Sequence, residues 1–224
     1  MIFRHQKGFL LLTIPALLFL GTLSPIHASD PSAGANINLH PKPLEMADLV
    51  LQSTSGQTVS LSDFRGKVVL LHFWSIQCPA CRMEEPLLDQ LKRSFGPLGL
   101  EILGVNLVDP PDAVVRHASA NHLPYRALFD SGRGFSLRVV NLGGKRTAFI
   151  VNPAMEAILE VPGFPTTYVI DCRGSAVAYS IGAARWDTPY ALNLIRQLIE
   201  QRKTCSPGNL PHPLERYSMR GPAR

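Results

Sequence analysis

The feature that most constrains this chain is Cys78-Pro79-Ala80-Cys81, set between a near-continuous apolar run (residues 67–74, KVVLLHFW) and a stretch with helical periodicity. An apolar run of that kind reads as a central strand buried on both faces. After it, Met83, Leu87, Leu91 and Phe95 recur every four residues, which predicts a helix over 79–95 with these side chains on one face. Two cysteines three apart at a helix start lie within disulfide reach. The first occupies the place where unpaired backbone N–H groups and the helix dipole stabilise a thiolate. Such placement lowers a cysteine pKa from about 8.5 toward neutrality or below, which supplies a nucleophile for disulfide exchange. A structural disulfide and half of a metal site are the alternatives; the strand–pair–helix order favours a redox pair.

Around that centre, strands alternate with helices. Residues 48–52 and 58–61 flank Ser55-Gly56 and read as an N-terminal β-hairpin. Residues 100–107 form a second buried strand, 112–121 a short helix and 125–129 a short strand. Residues 167–170 and 176–181 are strands joined by the turn Asp171-Cys172-Arg173-Gly174. Thr188 caps a last helix, with Pro189 at its first position and Ala191, Leu194, Ile195, Leu198 and Ile199 on one face. This order predicts an α/β fold: a mixed central sheet with helices on both faces. Over 131–152, GFSLRVV and RTAFIV flank Asn141-Leu142-Gly143-Gly144 and predict an inserted hairpin, either a partner-recognition arm or a decorated loop.

The ends bear on compartment. Arg4 and Lys7 precede an apolar run over 9–20, followed by Pro25, Ala28 and Ser29, the order of a secretory signal. The run is shorter than the roughly 20 residues of a spanning helix. Residues 1–28 are thus expected to be a signal peptide, cleaved after Ala28 or kept as an anchor. The body then faces an oxidising space such as the periplasm, where cysteine pairs persist as disulfides. Residues 29–45 read as a linker, 46–205 as the folded domain, and 206–224, with four prolines, as a flexible tail. The net charge of +5 comes without a lysine–arginine run or basic–aromatic stripe, so nucleic acid is not an expected partner. Four cysteines at unequal spacing make neither a disulfide-dense framework nor a zinc ribbon.

The segment LSDFRGKVVLLHFWSIQCPACRMEEP (61–86) resembles the redox segment of the TlpA/ResA-type thioredoxin-like proteins, bacterial extracytoplasmic thiol–disulfide oxidoreductases. The resemblance continues through GFPTTYVIDCRG (163–174), Gly182 and Trp186, and covers about residues 45–203. It implies a thioredoxin-like fold and a reductase of protein disulfides that needs no cofactor or metal. It further implies service in cytochrome c or metal-site maturation, an oxidised substrate protein, a membrane thiol–disulfide electron donor and a monomeric state. A copper or haem chaperone using the same pair as ligands is the rival from another class. A peroxiredoxin would carry threonine and proline where Ser75 and Leu71 stand.

The resemblance assigns Cys78 and Cys81 to catalysis and makes Pro165 the cis-proline beside them, contacting substrate together with Phe164; Pro79 and Trp74 are expected to contact substrate as well. X-Pro bonds are the ones that adopt cis peptides, and a proline heading a strand fits a tight turn. Glu84 matches a glutamate of the ResA-type site; it either raises the thiol pKa values or relays a proton, the alternative being an exposed helix charge. His72 stands where thioredoxins carry a buried acid; it either accepts a proton beneath Cys81 or is a buried neutral histidine with a backbone partner. Gln77 replaces a usual tryptophan and Pro79-Ala80 the usual x-Pro dipeptide, so the potential does not transfer. Cys172 lies five residues past the strand start, roughly 16 Å from the redox pair. A return strand of about 20 Å and a helix of roughly 22 Å bring Cys205 back near Cys172, so the two are expected to form a structural disulfide, the alternative being two independent thiols.

Overall fold

The computed structural model describes residues 34–46, 48–129, 136–142, 145–152, 155–202 and 205; within 136–160 the description is of backbone pairing. The expected signal segment, the first part of the linker and the tail lie outside the described residues. The main sheet has eight strands in the order β1 (Asn38–Glu45), β11 (Ser175–Ile181), β10 (Thr166–Ile170), β4 (Val68–Phe73), β5 (Leu100–Asn106), β6 (Arg126–Phe129), β2 (Val50–Ser53) and β3 (Thr58–Ser60). Its centre is β4, of which all six residues are buried. That follows from its position: β5 pairs with it in parallel and β10 antiparallel. β6 extends the parallel part, and the hairpin β2 with β3 closes that side. On the other side β11 pairs with β10.

The edge beyond β11 differs from expectation. Residues 38–45, within the expected linker, form β1 (Asn38–Glu45), antiparallel to β11. Pro41 and Pro43 sit in the stretch where the register shifts between Leu39 and Leu44, a position that an edge strand tolerates. Asn36, in the left-handed region at φ 55°, leads into the strand and donates its side-chain amide to the Ile181 and Ala183 carbonyls at 3.0 and 3.1 Å.

Helix α1 (Pro79–Phe95) buries Cys81, Glu84, Leu88, Leu91 and Phe95. The expected stripe was Met83, Leu87, Leu91 and Phe95, yet Met83 is 76% exposed. A step of four residues overshoots one helical turn by about 40°, so a purely four-spaced series rotates off the core. Alternating steps of three and four, which begin at Cys81, stay on it. Helices α2 (Pro111–Ala120) and α3 (Pro189–Gln201) follow; Thr188 Oγ1 accepts the Ala191 N–H at 3.3 Å and caps α3 as expected.

The helices do not cover both faces. The β4–α1–β5 and β5–α2–β6 units step in the same direction across the sheet, and right-handed crossovers therefore place both helices on one side. Buried residues of α1, α2 and α3 all join a core with Val68, Leu70 and Trp74. The alternate side chains Val69, Leu71 and Phe73 face a second core built with Leu49, Leu51 and Val59 of the hairpin region and Leu61 and Phe64 of a 3-10 turn (Leu61–Phe64). Among the described residues no α-helix contributes to that second core.

The connection from β6 to β10 carries a separate three-stranded antiparallel sheet of β7 (Ser136–Leu142), β8 (Lys145–Asn152) and β9 (Met155–Glu160). The expected hairpin is thus two strands of a three-stranded unit. MEAILE is rich in residues that favour helices, and strand pairing overrides that preference.

At the far end of the sheet, Cys172 and Cys205 are joined by a disulfide with Cα atoms 6.2 Å apart. Cys172 lies in the β10–β11 turn, where Asp171 Oδ1 accepts the N–H groups of Arg173 and Ser175 at 3.0 and 2.9 Å and Gly174 takes φ 84°.

Candidate active site

Strand β4 delivers the chain to the site. Trp74 N–H bonds to the Val105 carbonyl at 3.1 Å, after which the chain leaves the sheet and turns, the Cys78 N–H reaching the Ser75 carbonyl at 3.2 Å. Cys78 has extended backbone at the N-cap of α1, and Pro79 begins the helix. Cys78 and Cys81 form a disulfide with Cα atoms 5.3 Å apart. Cys78 Sγ also accepts the Cys81 N–H at 3.0 Å, so this sulfur receives one of the free donors of the helix start. Once reduced, a thiolate at Cys78 would be stabilised by that donor and by the positive end of α1. Cys78 is 7% exposed and Cys81 1%, so Cys78 is the more accessible sulfur of a pair that is largely covered.

The loop ahead of β10, at the end of the sheet where β4 runs out toward the pair, contains a cis Phe164–Pro165 peptide. Its position is tied by the Gly182 N–H to the Pro165 carbonyl at 2.8 Å and by Thr166 Oγ1 donating to the Gly163 carbonyl at 2.7 Å. Phe164 is half-buried and packs against both cores, Pro165 is buried, and Pro79 is exposed. Trp74, placed by resemblance among the substrate contacts, is 1% exposed. Its ring packs on His117 and Tyr125 at 5.6 and 5.5 Å, so it supports the site from below and presents no surface to a protein substrate.

Glu84 is buried on the same face of α1 as Cys81, one turn on. Its Oε1 accepts hydrogen bonds from the Trp186 indole N–H and from the Ala184 N–H, the latter at 3.4 Å, while Oε2 has no partner. Burial penalises the carboxylate and raises its pKa to about 7; the two hydrogen bonds oppose this and are outweighed. His72 is fully buried, and its Nδ1 lies 2.9 Å from Thr167 Oγ1, a side-chain partner where backbone was expected. Burial lowers its pKa to about 3, so the ring is neutral at physiological pH. Beside it, Gly104 lets the Tyr125 ring approach: a Cβ there would lie 2.1 Å from the ring. Tyr125 contacts His72 at 5.4 Å and donates its hydroxyl to Glu85 Oε1 at 3.2 Å.

Sequence reasoning passed over Trp186 and Ala184 as partners of Glu84, and Tyr125 and Thr167 as partners of His72. Trp186 sits 102 residues from Glu84, a separation that periodicity does not register. Among the described residues no group of three or more His, Cys, Asp or Glu is placed to hold a metal ion, and no helix is long and apolar enough to cross a membrane.

A family model described as the AhpC/TSA family matches residues 44–178. The chain belongs to this family. Within it the chain is similar to the thiol–disulfide oxidoreductase ResA of Bacillus subtilis, 29% identical over 123 residues, or 55% of this chain and 68% of that protein. It is also 33% identical over 105 residues to ResA of Geobacillus kaustophilus, covering 47% of this chain and 60% of the relative. At that level the chain is a thiol–disulfide oxidoreductase of the AhpC/TSA family, similar to the ResA proteins. Two solved structures share its thioredoxin-like fold. A thioredoxin-family thiol:disulfide interchange protein of Chlorobium tepidum superposes with a TM-score of 0.51 at 17% identity, covering 71% of this chain and 99% of that one. A secreted thiol-disulfide isomerase of Corynebacterium glutamicum does so with 0.52 at 21%, covering 75% and 94%.

Proposed function

We propose that this protein works outside the cytoplasm as a reductase of protein disulfides, with Cys78 as the attacking thiolate and Cys81 as the resolving thiol. The observation that carries this reading is the placement of the Cys78 sulfur at the N-cap of α1, accepting the Cys81 N–H at 3.0 Å. A thiolate at Cys78 attacks one sulfur of a substrate disulfide, forming a mixed disulfide and releasing the other substrate sulfur as a thiolate that takes up a proton. Glu84 removes the proton of Cys81, whose thiolate attacks Cys78 Sγ. The second substrate sulfur leaves as a thiolate and takes up the proton held by Glu84, and the Cys78–Cys81 disulfide forms. Two electrons pass to the substrate, and a membrane thiol–disulfide donor restores the dithiol. Phe164 and Pro165 present their loop to the substrate, and His72 holds Thr167, the second residue past Pro165, in place.

Apocytochrome or metal-site cysteine pairs are the substrates the ResA resemblance suggests, and the sheet over 136–160 would choose among partners. The test is the standard potential of the Cys78–Cys81 pair. A value below about −200 mV fits a reductase, whereas one near −120 mV marks an oxidase and would overturn the proposal.

A further inference from the structure

The turn that presents Cys78 leaves two backbone groups without partners of their own. Ser75 C=O and Cys78 N–H close the turn at 3.2 Å, which uses neither the N–H nor the C=O of Ile76 between them. Both are taken up by charged side chains from outside the turn. Ile76 N–H donates to Asp109 Oδ2 at 2.8 Å, and Arg82 donates to the Ile76 carbonyl at 3.1 Å. Partly buried amide groups need such partners, so these two bonds decide where the turn sits.

Asp109 is itself held in place. Asn106, the last residue of β5 and 1% exposed, accepts the N–H groups of Val108 and Asp109 on its side-chain oxygen at 3.2 and 3.0 Å. Its amide then donates to Asp109 Oδ2 at 2.8 Å. Pro110 and Pro111 follow, restricting the chain as α2 begins. Asn106 therefore shapes the loop, the prolines stiffen it, and the carboxylate at its tip points at the amide two residues before the reactive cysteine.

We infer that Asp109 is a positioning residue for the redox reaction: by holding Ile76 it keeps Cys78 in its N-cap geometry, where the helix start can stabilise the thiolate and a substrate sulfur can approach in line. The inference rests on Cys78 being the attacking sulfur, and it assigns the second strand–helix loop a part in the reaction that no motif reveals. One oxygen, Oδ2, accepts both hydrogen bonds, so asparagine can supply the same acceptor without the charge.

The experiment uses the full chain carrying Cys81→Ser, with the Cys172–Cys205 link intact, and measures reaction of Cys78 with 5,5′-dithiobis(2-nitrobenzoic acid) across pH. Asp109→Ala is expected to slow the second-order reaction about tenfold, the scale of one lost hydrogen bond. Asp109→Asn should return it to within about twofold, by the same reasoning. Arg82→Met, a change at an exposed side chain, should slow it in the same direction and stands in if the alanine variant does not fold. Native rates in Asp109→Ala and Arg82→Met would overturn the inference, and so would an Asp109→Asn variant as slow as the alanine one, since charge and not the hydrogen bond would then be at work. A Cys81→Ser chain whose Cys78 does not react at all would sink the redox proposal together with this one.

Discussion

The Trp186 indole N–H hydrogen-bonds to the Glu84 carboxylate, and neither side chain reaches solvent. The bond ties the middle of the active-site helix to the loop before α3 and holds one carboxylate oxygen, leaving the other unpartnered. A carboxyl group half-ionised near pH 7 is suited to exchange a proton with Cys81 one turn away.

That burial makes a stability prediction whose sign is determined. Glu84 is raised from 4.5 to about 7, so between those values the native chain keeps a proton that the unfolded chain releases. Native stability therefore falls as pH rises through this window, by at most about 3 kcal/mol. Glu84→Gln should remove that decline. Urea unfolding at both ends of the window, disulfides intact, measures it, and an equal decline in both proteins would contradict the prediction.

The order of the two cysteines predicts which variant traps a substrate. Cys81→Ser should accumulate a mixed disulfide at Cys78, seen as a mass adduct on non-reducing gels. Accumulation through Cys81 in Cys78→Ser would reverse the assignment.

Gly104→Ala places a methyl group 2.1 Å from the Tyr125 ring, which is packed against His72 and Trp74 and cannot move without disturbing both. Overpacking of this kind costs about 2 kcal/mol. Chemical denaturation checks it; a loss below roughly 0.5 kcal/mol, the range of neutral surface changes, would show that the ring relocates freely.

Replacing Cys172 and Cys205 by alanine opens a loop spanning a sequence separation of 33. The chain-entropy model gives a stability loss of about 3–4 kcal/mol. The Cys78–Cys81 potential should stay unchanged, since the link lies at the opposite end of the sheet. Denaturation and redox titration of one sample separate the two effects, and a shifted potential would show coupling between the ends.

Shortening 136–160 to a tight turn should leave that potential intact and slow reaction with the natural partner protein. Equal rates in native and shortened chains would make the three-stranded unit decoration.

Much of the architecture is legible from local pattern. The apolar run at β4, the cysteine pair at the start of α1 and the Thr188-Pro189 opening of α3 each carry a signal within a few residues. What escapes depends on distant partners. β1 looks like a linker because Pro41 and Pro43 interrupt it, and only its place at the sheet edge makes them tolerable. The buried face of α1 includes Glu84, a residue that periodicity assigns to solvent; its indole partner comes from beyond β11. The one-sided placement of helices depends on strand order, which no single segment encodes.

The direction of β1 sets how the domain would hang from anything ahead of it. Asn38 lies opposite Tyr179 and Glu45 opposite Ser175, so the chain enters at the end of the sheet that carries Cys78 and Pro165. The Arg185 N–H, bonded to the Ala35 carbonyl at 2.9 Å, pins that entry point. A tether upstream of Gly34 would therefore reel the reactive sulfur toward the surface to which it is fastened, and a donor embedded in that surface would meet the disulfide without the domain having to roll over.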